Sequence, residues 1–264
     1  MSIFRTISTF AAAPIVALGM AVISPAHAVP VDLELSLVVD TSGSVNATEY
    51  TLQYQGYVDA FNSAAVQSAI AGTTNGIAVS VMQFNTSAST QIGWTHLTNA
   101  TDAGNFANAI AALFTTNVTS GGGATDIAEG IDLGVTEILG NAFEGDRLVI
   151  DVSGDGQQNQ THDGLSGPGA VQAQRNIAEN AGITINGLPI LNDVPTLDTY
   201  YTNNVITTDG FVLAADGFED FQAAVETKIL AEITDTNPVP EPGMLIIFGL
   251  GLAGLGYARR KRTA

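Results

Sequence analysis

The chain lacks cysteine altogether and has few basic residues. Without cysteine, disulfide bonds and thiolate zinc sites are excluded. All 26 aspartates and glutamates lie between Asp32 and Glu241, where the only bases are Arg147, Arg175 and Lys228. The resulting charge, roughly −23, argues against binding to nucleic acid, whose phosphates require basic side chains. It favours high solubility and the binding of cations.

The start of the chain has the composition of a targeting segment. Arg5 precedes an apolar run over residues 10–23, and the segment closes with Ala26-His27-Ala28. A basic start, an apolar middle and small residues at the end are typical of a cleavable secretory signal. A buried N-terminal helix is the alternative, which the prolines within the stretch disfavour. We therefore predict a signal peptide over residues 1–28 and a globular domain over residues 29–236.

The end of the chain, residues 237–264, is a second targeting segment. Val239-Pro240-Glu241-Pro242 precedes an apolar run over residues 243–258, and Arg259-Arg260-Lys261-Arg262 follows it. The run, of roughly 16 residues, is short for a bilayer span, and the basic cluster favours a cytoplasmic end. This order resembles the PEP-CTERM sorting signal of Gram-negative bacteria. The resemblance implies transient anchoring in the inner membrane, cleavage by an exosortase-type peptidase, and release to the cell surface or extracellular matrix.

The middle of the chain alternates strand-like and helix-like segments. Asn46 and Glu49 have the spacing of a capping box and predict the start of the first helix. The alternation predicts an α/β fold, namely a Rossmann-like doubly wound, mostly parallel sheet with helices on both faces. Residues 191–204 are predicted to form a long loop. The predicted strands cover residues 33–39, 77–84, 90–97, 148–152, 183–190 and 211–214, and the predicted helices cover 50–65, 103–114, 126–139, 170–181 and 218–233.

Three polar clusters follow strands or open a helix of the predicted sheet. Asp40-Thr41-Ser42-Gly43-Ser44 comes after the first strand, Asp155 comes after the strand over 148–152, and Thr125 follows the glycine run 121–123. In a doubly wound sheet, ligands bind beyond the carboxyl ends of the strands, so the fold brings these loops together. Two carboxylates and three hydroxyls are hard oxygen ligands, which suit Mg²⁺, with Mn²⁺ and Ca²⁺ as alternatives.

The element Asp40-x-Ser42-x-Ser44, with Thr125 and Asp155 after it, resembles the metal-ion-dependent adhesion site (MIDAS) of von Willebrand factor type A (vWA) domains. The resemblance covers roughly residues 31–235 and is strongest to a bacterial subgroup of unknown function. It implies that Ser42, Ser44 and Thr125 bind the metal through their hydroxyls. It also implies that Asp40 and Asp155 bind it directly or through water, and that a ligand carboxylate completes the octahedron.

Other motifs compete with this interpretation. Ala124 separates Thr125 from the glycines, which leaves the register of this loop open. The neighbouring Asp126 is an alternative, with a side chain that contacts the metal ligands rather than the metal. Asp151-x-Ser153-x-Asp155-Gly156 resembles the start of an EF-hand calcium loop, but its twelfth position is His162 rather than an acid. A Ser–His–Asp triad around His162 is less favoured than a solvent-facing loop histidine. The single tryptophan, Trp94, is predicted to make a core contact on an edge strand.

We expect an exported binding or adhesion module that presents a divalent cation to an acidic group on a protein or an exopolysaccharide. We do not expect an enzyme, because no general base is evident beside the site. A metal-assisted hydrolase using Asp40 and Asp155 is one alternative, although no lysine or arginine follows the site to neutralise a phosphoryl group. A structural protein of the extracellular matrix is the other.

Overall fold

The computed structural model of the protein describes residues 28–116 and 122–236, so most of the predicted signal peptide and all of the sorting tail lie outside the described residues. Within the described ranges, no helix has the length and apolar character needed to cross a membrane. The strands are β1 (Val29–Val31), β2 (Leu33–Asp40), β3 (Ile77–Phe84), β4 (Ala88–Leu97), β5 (Phe143–Gly145), β6 (Leu148–Gly154), β7 (Thr161–His162), β8 (Leu165–Ser166) and β9 (Ile183–Pro189). The helices are α1 (Ala47–Asn62), α2 (Ala64–Gly72), α3 (Ala100–Thr116), α4 (Ile127–Gly140), α5 (Pro168–Asn180), α6 (Leu197–Asn204) and α7 (Phe221–Thr234).

A five-stranded sheet in the order β4-β3-β2-β6-β9 forms the centre of the domain. The central strand β2 pairs in parallel with both β3 and β6, and β6 pairs in parallel with β9. Only the edge strand β4 is antiparallel within this sheet. Every residue of β2 is buried, as expected for a strand that is covered on both faces. The predicted doubly wound, mostly parallel sheet is confirmed.

Helices cover the two faces of the sheet, each over its own hydrophobic cluster. Leu37 and Val39 of β2 belong to the cluster that contains residues of α1, α2, α3 and α7. Val38, between them, belongs to the cluster that contains residues of α4, α5 and α6. The alternation follows from the strand period of two, which sends successive side chains to opposite faces.

The first helix begins as the capping box predicts and ends earlier than predicted. Asn46 Oδ1 accepts hydrogen bonds from the backbone N–H of Thr48 at 2.9 Å and of Glu49 at 3.2 Å, and Glu49 Oε2 accepts one from the N–H of Asn46 at 2.8 Å. At Ser63 the backbone becomes extended, with ψ of 144°, and the Ser63 side chain caps the separate helix α2. The predicted helix over 50–65 is therefore two helices, and Ala65 is exposed rather than part of the buried stripe.

Two other sequence predictions are wrong. The predicted loop over 191–204 contains α6, which packs on the sheet through Leu197, Tyr200 and Tyr201. The predicted strand over 211–214 forms only isolated bridges to the edge of β9. Its hydrogen bonds to Gly187 and to the carbonyl of Pro189 are present, but a proline has no N–H to donate to the segment, so the ladder is interrupted.

Candidate metal centre

The predicted site lies at the ends of the two central strands. Asp40 is the last residue of β2, and Asp155 directly follows β6, the neighbouring strand. The chain leaves β2 towards α1 on one face of the sheet and leaves β6 towards α5 on the other face. This divergence opens a crevice beyond the strand ends, which is where ligands bind in sheets of this class.

All five predicted residues meet in this crevice. Thr125 Oγ1 donates to Ser42 Oγ at 3.0 Å, and Ser42 Oγ lies 3.2 Å from Ser44 Oγ. Ser44 Oγ donates to Asp155 Oδ1 at 2.7 Å, and the backbone N–H of Ser42 donates to Asp40 Oδ1 at 2.7 Å. Three loops that are distant in sequence thus supply one continuous set of oxygen atoms.

Each carboxylate of the site keeps one buried oxygen without a partner. Asp40 is 0% and Asp155 2% exposed, and no hydrogen bond from the described residues reaches Oδ2 of either one. The pKa of Asp40 is raised to about 7, mainly by burial and to a lesser extent by repulsion from Asp155, against the hydrogen bonds from Ser42 that lower it. Burial also raises the pKa of Asp155, to which Glu49 and Asp193 add by repulsion. Buried carboxylates are usually paired or coordinate a metal, so this donor set fits a hard divalent cation.

Glycines bring the backbone close to the site. A Cβ atom on Gly154 would lie 2.7 Å from Asp40 Oδ2, which leaves no room for any side chain there. Gly43 donates its N–H to the carbonyl of Gly123 at 3.1 Å, so a backbone hydrogen bond joins the loop after β2 to the loop before α4. Gly123 has a φ of +92°, a conformation that favours glycine.

The loop before α4 presents Thr125 rather than Asp126 to the other site residues. Asn159 holds Thr125 by two hydrogen bonds. The N–H of Thr125 donates to Asn159 Oδ1 at 2.8 Å, and the backbone N–H of Asn159 donates to the carbonyl of Thr125 at 3.0 Å. Asp126 instead caps α4, where its Oδ1 accepts from the N–H of Glu129 at 3.1 Å and from Gln158 Nε2 at 2.7 Å. The inserted alanine therefore does not displace the threonine from the site.

Two residues next to the site did not follow from the motif. Gln53 Nε2 donates to the backbone carbonyl of Asp40 at 3.0 Å, and a glutamine on the apolar stripe of the first helix was the available signal. The Tyr201 hydroxyl is buried and has no hydrogen-bond partner in the part of the chain that the structure describes, and a Cβ on Gly154 would lie 3.1 Å from it. Burial raises the pKa of Tyr201 well above its usual value, with Asp40 the next cause. Tyr201 lies on α6, where a loop was predicted, so the sequence carried no signal for it.

The competing motifs have other roles. Asp151 lies within β6, fully buried, with Oδ1 2.6 Å from Lys228 Nζ, so it does not begin a calcium loop. His162 is only 8% exposed and its Nδ1 lies 3.2 Å from Glu129 Oε2, so the prediction of a solvent-facing histidine is wrong. Trp94 on the edge strand β4 donates its indole N–H to the carbonyl of Glu137 at 3.2 Å and packs on the core, as predicted.

Solved structures share this fold at low sequence identity. The pilus adhesin SpaC from Lactobacillus rhamnosus GG, in an open conformation, has a TM-score of 0.58 and 15% identity, over 77% of this chain and 30% of that chain. Proximal thread matrix protein 1 from the mussel byssus has a TM-score of 0.53 and 17% identity, over 78% of this chain and 46% of that chain. A structure of the same mussel protein with a zinc-occupied MIDAS motif has a TM-score of 0.52 and 17% identity, over 75% of this chain and 46% of that chain.

The chain spans less than half the length of these proteins, and the likeness to them shows the vWA fold. No curated protein is significantly similar to the chain. Residues 238–262 match the PEP-CTERM protein-sorting motif, which implies export and membrane-associated sorting. Residues 30–237 match the family model described as Protein of unknown function (DUF1194). The chain therefore belongs to the DUF1194 family, a vWA-like family of bacteria, and it carries a PEP-CTERM sorting motif.

Proposed function

We propose that the protein is an exported binding module that holds Mg²⁺ at Asp40, Ser42, Ser44, Thr125 and Asp155 and presents it to an acidic group of a partner. The observation that carries this proposal is the pair of buried, unpartnered carboxylate oxygens, Oδ2 of Asp40 and of Asp155, beside three clustered hydroxyls. Burying a carboxylate without a partner is unfavourable, and a bound cation offsets that penalty.

The donor set favours Mg²⁺ among divalent cations. Its donors are all oxygen and only two of them are carboxylates, whereas Ca²⁺ prefers six to eight oxygen ligands and Zn²⁺ prefers nitrogen or sulfur. Mn²⁺ shares the oxygen preference of Mg²⁺ and is the natural spectroscopic substitute. The zinc in the mussel protein belongs to that protein's own MIDAS motif.

Among the five site residues, only Ser44 is exposed to solvent. Asp40, Ser42, Thr125 and Asp155 are buried, whereas Ser44 is exposed. A partner's acidic group would therefore approach from the side of Ser44 and complete the coordination of the cation. A cation that is held by buried residues and reached by solvent at Ser44 is placed to bind an external ligand rather than to be stored.

The surroundings of the site restrict the chemistry of that partner. A groove of about 420 Å³ begins at Asn46 and Glu49, next to Ser44 in the chain, and continues to Asp216, Glu219 and Asp220. None of its described lining residues is basic. A densely anionic polysaccharide would be repelled by this groove, so we propose a partner that offers one carboxylate among neutral or basic groups, as a protein surface does.

We propose binding rather than catalysis at this site. The three bases of the described residues are placed elsewhere. Arg147 precedes β6 at the end opposite Asp155 and donates to the carbonyl of Glu232, Lys228 is buried in an ion pair, and Arg175 lies on α5. No basic side chain of the described chain is therefore available to neutralise a phosphoryl group. Metal-dependent turnover of a panel of phosphoesters would contradict this part of the proposal.

Isothermal titration calorimetry with Mg²⁺ tests the proposed function. We expect the wild type to bind one Mg²⁺ and the Asp40→Ala variant to bind none, while the control variant Asp209→Ala, which changes an exposed acid outside the site, binds as the wild type does. Equal binding by the wild type and Asp40→Ala would refute it. A pull-down from culture matrix, with and without chelator, then identifies the partner.

Export and the final location complete the proposal. The sorting motif supports processing by an exosortase-type peptidase after transient anchoring in the inner membrane. We propose that the released domain acts at the cell surface or in the extracellular matrix. If deletion of the protein alters biofilm or floc formation and the Asp40→Ala variant restores it fully, the domain has a structural role in the matrix instead.

A further inference from the structure

A second cluster of metal-binding side chains lies next to the first site without being part of it. Asp126, Glu129 and His162 each offer one ligand atom, and these atoms all lie within 4.8 Å of one another. His162 Nδ1 is 3.2 Å from Glu129 Oε2. Asp126 and Glu129 are the N-cap and the third residue of α4, a spacing that places them on one face, and His162 reaches them from the hairpin of β7 and β8.

The histidine of this cluster is buried and incompletely paired. His162 is 8% exposed, yet its Nε2 has no hydrogen-bond partner within residues 28–116 and 122–236 and lies 3.7 Å from Asp163 Oδ2, beyond hydrogen-bonding distance. A buried imidazole normally uses both nitrogens, one as a donor and one as an acceptor. In histidine metal sites, one nitrogen binds the metal and the other donates to a carboxylate. The Asp163 carboxylate, 3.7 Å from Nε2, would have to move closer to accept that hydrogen bond.

The carboxylates are also held in place. Asp126 is 3% exposed, and the hydrogen bonds from Glu129 N–H and Gln158 Nε2 both use its Oδ1. Gln158 is held in turn, because its Oε1 accepts from the N–H of Ala128 at 3.1 Å. A fixed carboxylate, an adjacent glutamate and a buried imidazole make a nitrogen-and-oxygen site, unlike the all-oxygen site beside it.

We propose that Asp126, Glu129 and His162 bind a second divalent cation, of the class that accepts imidazole together with carboxylates, with Zn²⁺ and Co²⁺ as its representatives. This cation ties the β7–β8 hairpin to the first turn of α4. Thr125, a residue of the first site, directly precedes that turn, so the second cation stabilises the loop that presents it. The proposal stands on its own residues and does not require that the first site binds Mg²⁺.

Titration of the full chain, purified in a mild detergent and kept in excess Mg²⁺, with Co²⁺ tests the proposal. Mg²⁺ in large excess competes with Co²⁺ for an all-oxygen site but not for an imidazole ligand, and the visible absorption of bound Co²⁺ reports nitrogen ligation. We expect one equivalent of Co²⁺ in the wild type and at least a tenfold weaker affinity in His162→Gln. We expect the Asp40→Ala variant to retain this equivalent, which separates the result from failure of the first site.

His96→Gln is the matched control, because His96 is the other histidine of the described chain and its Nε2 lies 2.7 Å from the carbonyl of Asn75, away from the cluster. Glu129→Gln carries the test if His162→Gln fails to fold, and it too should weaken Co²⁺ binding at least tenfold. Unchanged Co²⁺ affinity in either folded variant would overturn the proposal and leave the contact between His162 and Glu129 as an ion pair without metal.

Discussion

Replacing Gly154 by alanine perturbs the candidate metal centre without removing any of its oxygen atoms. The added methyl would lie 2.7 Å from Asp40 Oδ2 and 2.8 Å from Asp40 Cβ, distances that Cβ atoms essentially never show. Asp40 cannot move freely, because it is fully buried and its Oδ1 accepts the N–H of Ser42 at 2.7 Å. The carboxylate must therefore shift by several tenths of an ångström or the end of β6 must separate from β2.

Two magnitudes follow from this clash. Overpacking of a tightly packed interior costs about 1–3 kcal/mol of stability, which leaves a domain of this size folded. Disturbing the groups that position a metal ligand lowers metal affinity by about 10–100-fold, or roughly 1.4–2.8 kcal/mol. We expect both effects, and the loss of Mg²⁺ affinity tests the assignment of Asp40, because the clash is with a proposed ligand itself.

Calorimetry with Mg²⁺, together with thermal unfolding in the presence of chelator, separates the two effects. Gly93→Ala is the control, because a Cβ on Gly93 meets nothing within 4 Å, and its Mg²⁺ affinity should equal that of the wild type. If Gly154→Ala is folded and binds Mg²⁺ within twofold of the wild type, the carboxylate of Asp40 does not hold the cation.

Three further predictions concern buried groups. The pKa of Asp40 in the folded protein, about 7, exceeds its ordinary value of 3.8, so this group makes the metal-free protein lose stability as the pH rises from about 4 to 7. Saturating Mg²⁺ should cancel this loss of stability, because the cation compensates the buried charge. Urea unfolding over a pH series measures both effects, and a loss that persists in Mg²⁺ would contradict the assignment of Asp40 as a metal ligand. Lys228→Met should lower the free energy of unfolding by about 3–5 kcal/mol, because Lys228 Nζ lies 2.6 Å from both Asp151 Oδ1 and Glu232 Oε1 in the interior. If a urea titration shows that the free energy of unfolding falls by less than about 1 kcal/mol, the two carboxylates are protonated in the folded protein. Tyr201→Phe removes a buried hydroxyl without a partner, so the metal-free variant should be at least as stable as the wild type, and destabilisation in the same titration would show that the hydroxyl has a partner in solution.

The five residues of the first site were predictable because their positions are local to regular elements. Asp40 and Asp155 directly follow strands whose apolar runs are evident in the sequence, and parallel strands bring their carboxyl ends to one edge. Thr125 was predictable as a neighbour of these residues because it follows a glycine run and directly precedes the start of a helix. The capping box of α1 was equally local.

The features that sequence reasoning missed depend on contacts between distant segments. The environment of His162 depends on Glu129, 33 positions earlier in the numbering of the chain, and no local pattern encodes that contact. Tyr201 was missed because the sequence of α6, Leu-Asp-Thr-Tyr-Tyr-Thr-Asn-Asn, has too few apolar residues to show a helical period. The segment over 211–214 has strand-like residues, but its pairing is decided by a proline in its neighbour β9.

A crystal structure of the protein grown with Mn²⁺ tests the central claim most directly, because the anomalous signal identifies the ion. We predict an anomalous peak about 2.0–2.6 Å from Ser42 Oγ and Ser44 Oγ, the range of metal–oxygen distances from Mg²⁺ to Ca²⁺, with Thr125 and the carboxylates of Asp40 and Asp155 around it. The absence of a peak at these hydroxyls, in crystals that contain saturating Mn²⁺, would contradict the claim that this loop holds a divalent cation.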